Sequence, residues 1–226
     1  MRNRFHAPLI GLILAAAALA AGPAVPARAE PGSWLEHNAA ADKILPQAPR
    51  ANRPRNLDFL FGALQAAPDD ETAKAIEQRI WALWVVSRSD TANLLMLRVR
   101  AAVEGKDSDL AIKLLDGIVK IKPDYIEAWN RRATLYYLKK DYGRALADIR
   151  EVLKREPRHF GAYSGLGMIR AEMGETARAV AAFELARKWN PHIAGIDSEI
   201  ERLKALGGDS GTDGPADPLG CGRLSS

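Results

Sequence analysis

Between residues 57 and 206, apolar positions recur at helical spacing. ETAKAIEQRIWALWVV places Ile76, Ile80, Leu83 and Trp84 on one face, at i, i+4, i+7 and i+8. LDFLFGALQAA, just before it, is a short apolar helix. Pro68-Asp69-Asp70-Glu71 forms the turn between them, with acids set for the second helix's N-terminus. Near the far end, Ile193, Ile196, Ile200 and Leu203 form one stripe, and Asp197, Glu199, Glu201, Arg202 and Lys204 form the opposite face.

A second, longer period lies over this one. Pro123, Pro157 and Pro191 are 34 residues apart, in KIKP, KREP and KWNP. In the same register stand Ala111, Ala145 and Ala179, then Leu115, Ile149 and Phe183, then Leu95, Trp129 and Tyr163, then Val99, Ala133 and Gly167. Each proline lacks an N–H and drives the preceding residue out of the helical region, so a helix must end there. The predicted unit is therefore a helix pair, used three times. Gly167 and Ala179 mark where the two helices of the third unit touch, and a larger side chain there would separate them.

Composition changes this picture little. A hydrophobic content of 47% can supply a core, although aromatic residues are only 7%. The formal charge of +4 arises mostly in the first segment. The 32 basic residues, less Arg2, Arg4 and Arg28, leave 29 against 28 acids, so nucleic acid has no electrostatic footprint. That first segment reads as an export signal: MRNRF is a positive start, PLIGLILAAAALAAG an apolar stretch, and Ala27-Arg28-Ala29 a cleavage motif before Glu30. The expected location is outside the cytoplasm, in the periplasm, with a membrane contact only if the signal stays uncleaved. Cys221 is the single cysteine, and one thiol makes neither an internal disulfide nor a zinc site.

AWNRRATLYYLKKDYGRALADIREVLKREP and AYSGLGMIRAEMGETARAVAAFELARKWNP resemble tetratricopeptide repeats. The second carries the family's pattern at Tyr163, Leu166, Gly167, Ala179, Phe183, Ala186 and Pro191. The first carries it at Trp129, Tyr136, Ala145, Ile149 and Pro157, and an earlier unit at Ala102, Ala111, Leu115 and Pro123. Val99 departs at the small contact position, and Arg98 and Arg132 stand where the family has leucine. The resemblance implies an all-α, right-handed superhelix of helix-turn-helix repeats with a C-terminal capping helix. The expected organisation is a signal peptide over 1–29, a linker over 30–56, and a degenerate helix pair over 57–91 read as a diverged repeat. Repeats follow over 92–125, 126–159 and 160–192, then a capping helix over 193–206 and a disordered tail over 207–226.

By the same resemblance, the concave surface is lined by each unit's first helix. The matching positions are Asn93, Met96, Arg100 and Val103; Glu127, Asn130, Thr134 and Tyr137; and Gly161, Ser164, Met168 and Ala171. Each set has the spacing of one helical face, and its mix of polar and soft apolar residues suits a peptide. Met96, Arg100, Arg131, Gly161 and Gly165 replace the residues by which some members clamp a chaperone's terminal carboxylate, so that ligand is not expected.

Catalysis has no foothold in the sequence. His6, His37, His159 and His192 lack metal-ligand spacing, and Ser164 in GAYSGLG lacks the flanking glycines of a nucleophile elbow. No cofactor and no small-molecule substrate are expected. The reading is a non-catalytic adaptor for a protein or peptide partner, with self-association through stacked repeats as the alternative.

Overall fold

The structure, a computed structural model, describes residues 53–207 and 217–219. The export signal, Cys221 and most of the linker and tail lie outside the described residues. Nine α-helices and no strand occur among those described: α1 Arg53–Gln65, α2 Asp70–Val85, α3 Asp90–Glu104, α4 Ser108–Ile121, α5 Ile126–Leu138, α6 Tyr142–Arg155, α7 Phe160–Glu172, α8 Thr176–Trp189 and α9 Ile196–Gly207. None is long and apolar enough to cross a membrane.

The period of 34 is visible in the backbone. Lys122, Glu156 and Asn190, each before a repeat proline, leave the helix with φ of −141°, −136° and −137°. Lys106, Lys140 and Gly174 occupy the matching turn position within each unit, all with positive φ of 59°, 58° and 77°. Only the third unit uses the residue that adopts this conformation freely. Asp107 and Asp141 then cap the second helices, accepting hydrogen bonds from the Leu110 and Arg144 N–H groups.

Each pair, α3 with α4, α5 with α6 and α7 with α8, packs along its length, and α4 on α5 and α6 on α7 join the pairs. Ala111, Ala145 and Ala179 are fully buried, as the register requires. Gly167 faces the Phe183 ring so closely that a Cβ would stand 2.7 Å from it. Gly167→Leu should therefore destabilise the protein by about 1–3 kcal/mol through overpacking, and a thermal midpoint equal to wild type would refute this register. At the C-terminal end, α9 buries Ile196, Ile200 and Leu203 beside Ala179, Phe183 and Ala186. This is the predicted cap, although its helix begins at Ile196, after Gly195 with a φ of +73°. Within the tail, Asp217–Leu219 is docked: Arg170 Nε donates to the Pro218 carbonyl at 3.1 Å, and Leu219 packs on the main core.

Arg132, which replaces a family leucine, has an explanation here. Its guanidinium donates to both Asp148 oxygens at 2.8 and 2.7 Å and to Asp116 at 2.6 Å, and lies 4.9 Å from the Trp129 ring centre. It ties its own repeat to the one before. At Arg98, the corresponding acid position holds Leu114, and Arg98 stays exposed.

The first helix pair forms as predicted, with Asp69 capping α2 through the Thr72 N–H, but it does not stack as a preceding repeat. Instead of packing along α3, α2 crosses the starts of α5 and α7. Trp81 and Trp84 are buried with Leu60, Phe61, Leu64 and Phe160, and Trp189 and Ile193 close the cluster. Polar contacts bind the pair to the same edge. Asn190 Nδ2 donates to Glu77 at 3.1 Å, Arg158 pairs with Asp58, and His192 Nδ1 lies 2.9 Å from Asp70. The physical reason is Gly161, where a Cβ would stand 2.7 Å from Trp81. The missing side chain admits the indole, and the apolar face of α2 is buried there.

Candidate functional site

The twelve concave positions do not form one open groove. In the middle repeat, Glu127, Asn130, Thr134 and Tyr137 are all buried. Glu127 accepts from Asn130 Nδ2 at 3.1 Å and from Arg131 Nε at 2.9 Å, and Thr134 Oγ1 donates to the Asn130 carbonyl at 3.0 Å. The Tyr137 hydroxyl donates to Glu172 at 2.6 Å. Tyr142 donates to the other oxygen of that carboxylate at 2.5 Å, and this bond raises the Tyr142 phenol above its ordinary range. Tyr137, expected to line the concave surface, is instead packed, with its hydroxyl bonded to Glu172.

In the third repeat, Gly161 lies beneath Trp81, and Ser164 turns its hydroxyl back to the Phe160 carbonyl at 3.0 Å. Met168 is half-buried, packed against the core. The first repeat is the open one. Asn93, Met96 and Arg100 line an opening of about 150 Å³ together with Val85, Val86, Leu97 and Tyr125. Arg100 has 43% of its side chain exposed, 3.4 Å from Glu104, and Asn93 donates to the Ser87 carbonyl at 3.2 Å. The floor is apolar, with a cation and an amide at its rim.

Val85, Val86 and Tyr125 were absent from the sequence expectations. They enter because the end of α2 is tied here, the Tyr125 hydroxyl donating to the Val85 carbonyl. The apolar run WALWVV was the available signal, but a stacked repeat would have buried it elsewhere.

His159 is part of the same edge. Its Nδ1 accepts from the Ala162 N–H at 3.0 Å, capping α7. The ring is also fully buried and stacked on Trp84, with centroids 4.0 Å apart and planes within 12°. Burial lowers its pKa to about 3, so the imidazole is neutral.

Residues 130–192 match the tetratricopeptide repeat family. A TPR repeat-containing protein of Rhizobium etli is 40% identical over 148 residues, spanning 64% of this chain and 72% of that protein. The chain belongs to the tetratricopeptide-repeat family. Similar solved tetratricopeptide structures include the first such domain of Spaghetti bound to the HSP90 peptide SRMEEVD, at 18% identity and a TM-score of 0.50, covering 53% of this chain and 98% of that one. The Sgt2 domain of Aspergillus fumigatus is 22% identical with a TM-score of 0.49, covering 57% and 88%. These likenesses concern the fold. Tetratricopeptide repeats are in general protein-interaction modules without catalytic activity.

Proposed function

We propose that this tetratricopeptide-repeat protein is an exported, non-catalytic adaptor of the cell envelope that holds a peptide or protein segment at the α2–α3 end of its concave face. The observation that carries this reading is the opening among Val85, Asn93, Met96, Arg100 and Tyr125, apolar within and cationic at the rim. Such a place accepts one apolar side chain and pairs an adjacent carboxylate or backbone carbonyl with Arg100. The Spaghetti domain was solved holding a peptide, so the fold admits such a ligand. The clamp residues differ in this chain, so the segment held here is not of the chaperone-terminus type. Export rests on the Arg-rich start, the apolar stretch and the Ala27-Arg28-Ala29 motif.

The test is affinity purification of the tagged protein from envelope fractions, with mass spectrometry of what it retains. Arg100→Glu combined with Asn93→Ala should reduce recovery of the partner about tenfold or more, with an unchanged circular dichroism melt. Equal recovery by the double variant would overturn the site, and a partner set drawn wholly from cytoplasmic proteins would overturn the location.

A further inference from the structure

Among the described residues, one end of the repeat stack is capped and the other is not. At the C-terminal end, α9 covers α8 with three buried apolar residues. At the N-terminal end, the helix pair that could cover α3 is held elsewhere by Trp81, Trp84 and the Glu77–Asn190 bond. Among the described residues, no helix therefore covers the outward face of α3, and it is apolar: Leu94 is 57% exposed, Leu97, which also borders the opening beside Val85, 52%, and Ala101 is exposed between turns.

The repeat register shows what this face is shaped for. Thirty-four and sixty-eight residues after Leu94 stand Ala128 and Ala162, exposed by 0% and 1%. After Ala101 stand Leu135 and Ile169, at 5% and 1%. Both pairs lie under the helix of the preceding repeat. Leu114 repeats the pattern on α4, since it is half-buried where Asp148 and Ala182 are buried. The α3 face is thus a seat of the kind that this chain fills with another helix wherever one precedes.

We infer that this face is a homodimer interface, in which α3 of one copy lies antiparallel on α3 of a second copy about a two-fold axis between Leu94 and Leu97. Charge distribution selects a second copy over an unrelated helix. The stripe Asp90–Leu94–Leu97–Ala101–Glu104 is acidic at both ends and apolar in the middle, with Arg98 beside it and Arg88 just before the helix, all four charged residues exposed. In a two-fold antiparallel pair, residues whose numbers sum to about 191 face one another. Leu94 then meets Leu97. Asp90 meets Ala101, one turn from Arg98, and Glu104 meets the segment holding Arg88. Each acidic end finds a cation on the other copy, and the leucines close the centre. A parallel arrangement would set Asp90 against Asp90 and leave both cations opposite themselves.

Sedimentation equilibrium of the purified protein tests this. A dimer should dominate at concentrations on the order of 100 µM. Leu94→Glu with Leu97→Glu should weaken it at least about tenfold, and the helical spectrum should persist because both side chains are exposed. Asp90→Arg alone should weaken the dimer, and Asp90→Arg combined with Arg98→Asp should restore it. Neither residue of that charge exchange lines the proposed peptide opening, so its outcome is independent of the adaptor reading. A protein monomeric throughout, a dimer indifferent to the leucine changes, or a charge exchange that fails to restore association would each overturn the interface.

Discussion

Asp148→Ala should destabilise the protein by about 3 kcal/mol, because it removes one partner of a largely buried ion pair and leaves the other in place. Asp148 is 5% exposed at its side chain, and Arg132 14%. Burial pushes the Asp148 carboxyl above the usual carboxylate range, and the hydrogen bonds from Arg132 pull against that. The same bonds hold the Arg132 guanidinium more firmly protonated. Without Asp148, the one carboxylate left to Arg132 is Asp116 at 2.6 Å, whose side chain is 40% exposed and screened by water. The chain itself contains the alternative solution. Thirty-four residues on, Leu166 and Ala182 stand in place of Arg132 and Asp148, both fully buried. Arg132→Leu combined with Asp148→Ala installs that pair in the middle repeat. The double variant should therefore lose less stability than Asp148→Ala alone, since apolar replacements of a buried pair are often neutral. Urea denaturation of both variants measures the difference. A single variant within about 0.5 kcal/mol of wild type, or a double variant worse than the single, would show that the pair is ornamental.

The repeats were legible in the sequence because their signals are local. A proline fixes its own φ and restricts its neighbour, and an alanine every 34 residues marks a helix contact within the same unit. Gly167 could be read in advance since its partner Phe183 lies in the same helix pair. Gly161 could not. Its smallness answers to Trp81, eighty residues upstream, and no short-range pattern links the two. The first helix pair could be read only as a diverged repeat, and in the structure α2 leaves the stack and crosses the edge of later repeats, where Gly161 admits Trp81. That displacement also redistributed the site. Concave positions are defined by family register, but whether they are open depends on what else packs there. Glu127, Asn130, Thr134 and Tyr137 bond one another and Glu172 rather than face a ligand, while Asn93, Met96 and Arg100 remain at an opening that α2 helps to build.

The fold should lose about 3 kcal/mol of stability between pH 7 and pH 4 through His159 alone. In the folded protein the imidazole is sealed between Trp84 and the start of α7, its pKa lowered to about 3 by burial. Its Nδ1 is committed to the Ala162 N–H, and its Nε2 has no hydrogen-bond partner among the described residues. In the unfolded chain the same ring titrates at its ordinary value of about 6.5. The sign follows. Below about pH 6.5 the unfolded chain takes a proton that the folded protein refuses, so stability falls as pH drops, until the native ring also titrates near pH 3. Above pH 7 the contribution is flat. Carboxylates held low in the native state, Asp109 beside Lys139 and Asp141 at the start of α6, add a loss of the same sign only at lower pH. From pH 7 to pH 5 the expected loss from His159 is about 2 kcal/mol; Asp148, whose carboxyl burial raises, acts with the opposite sign but equally in wild type and in a His159 variant, so the comparison of the two isolates the ring. His159→Asn keeps a side-chain oxygen for the cap and removes the titration. Its stability at pH 7 should be lower, for want of the ring stacked on Trp84, but its decline from pH 7 to pH 5 should nearly vanish. Equal slopes for the two proteins in that window would mean that the ring takes up its proton without leaving the Trp84 stack, and that the edge joining α2 to α7 is wetter than its packing implies.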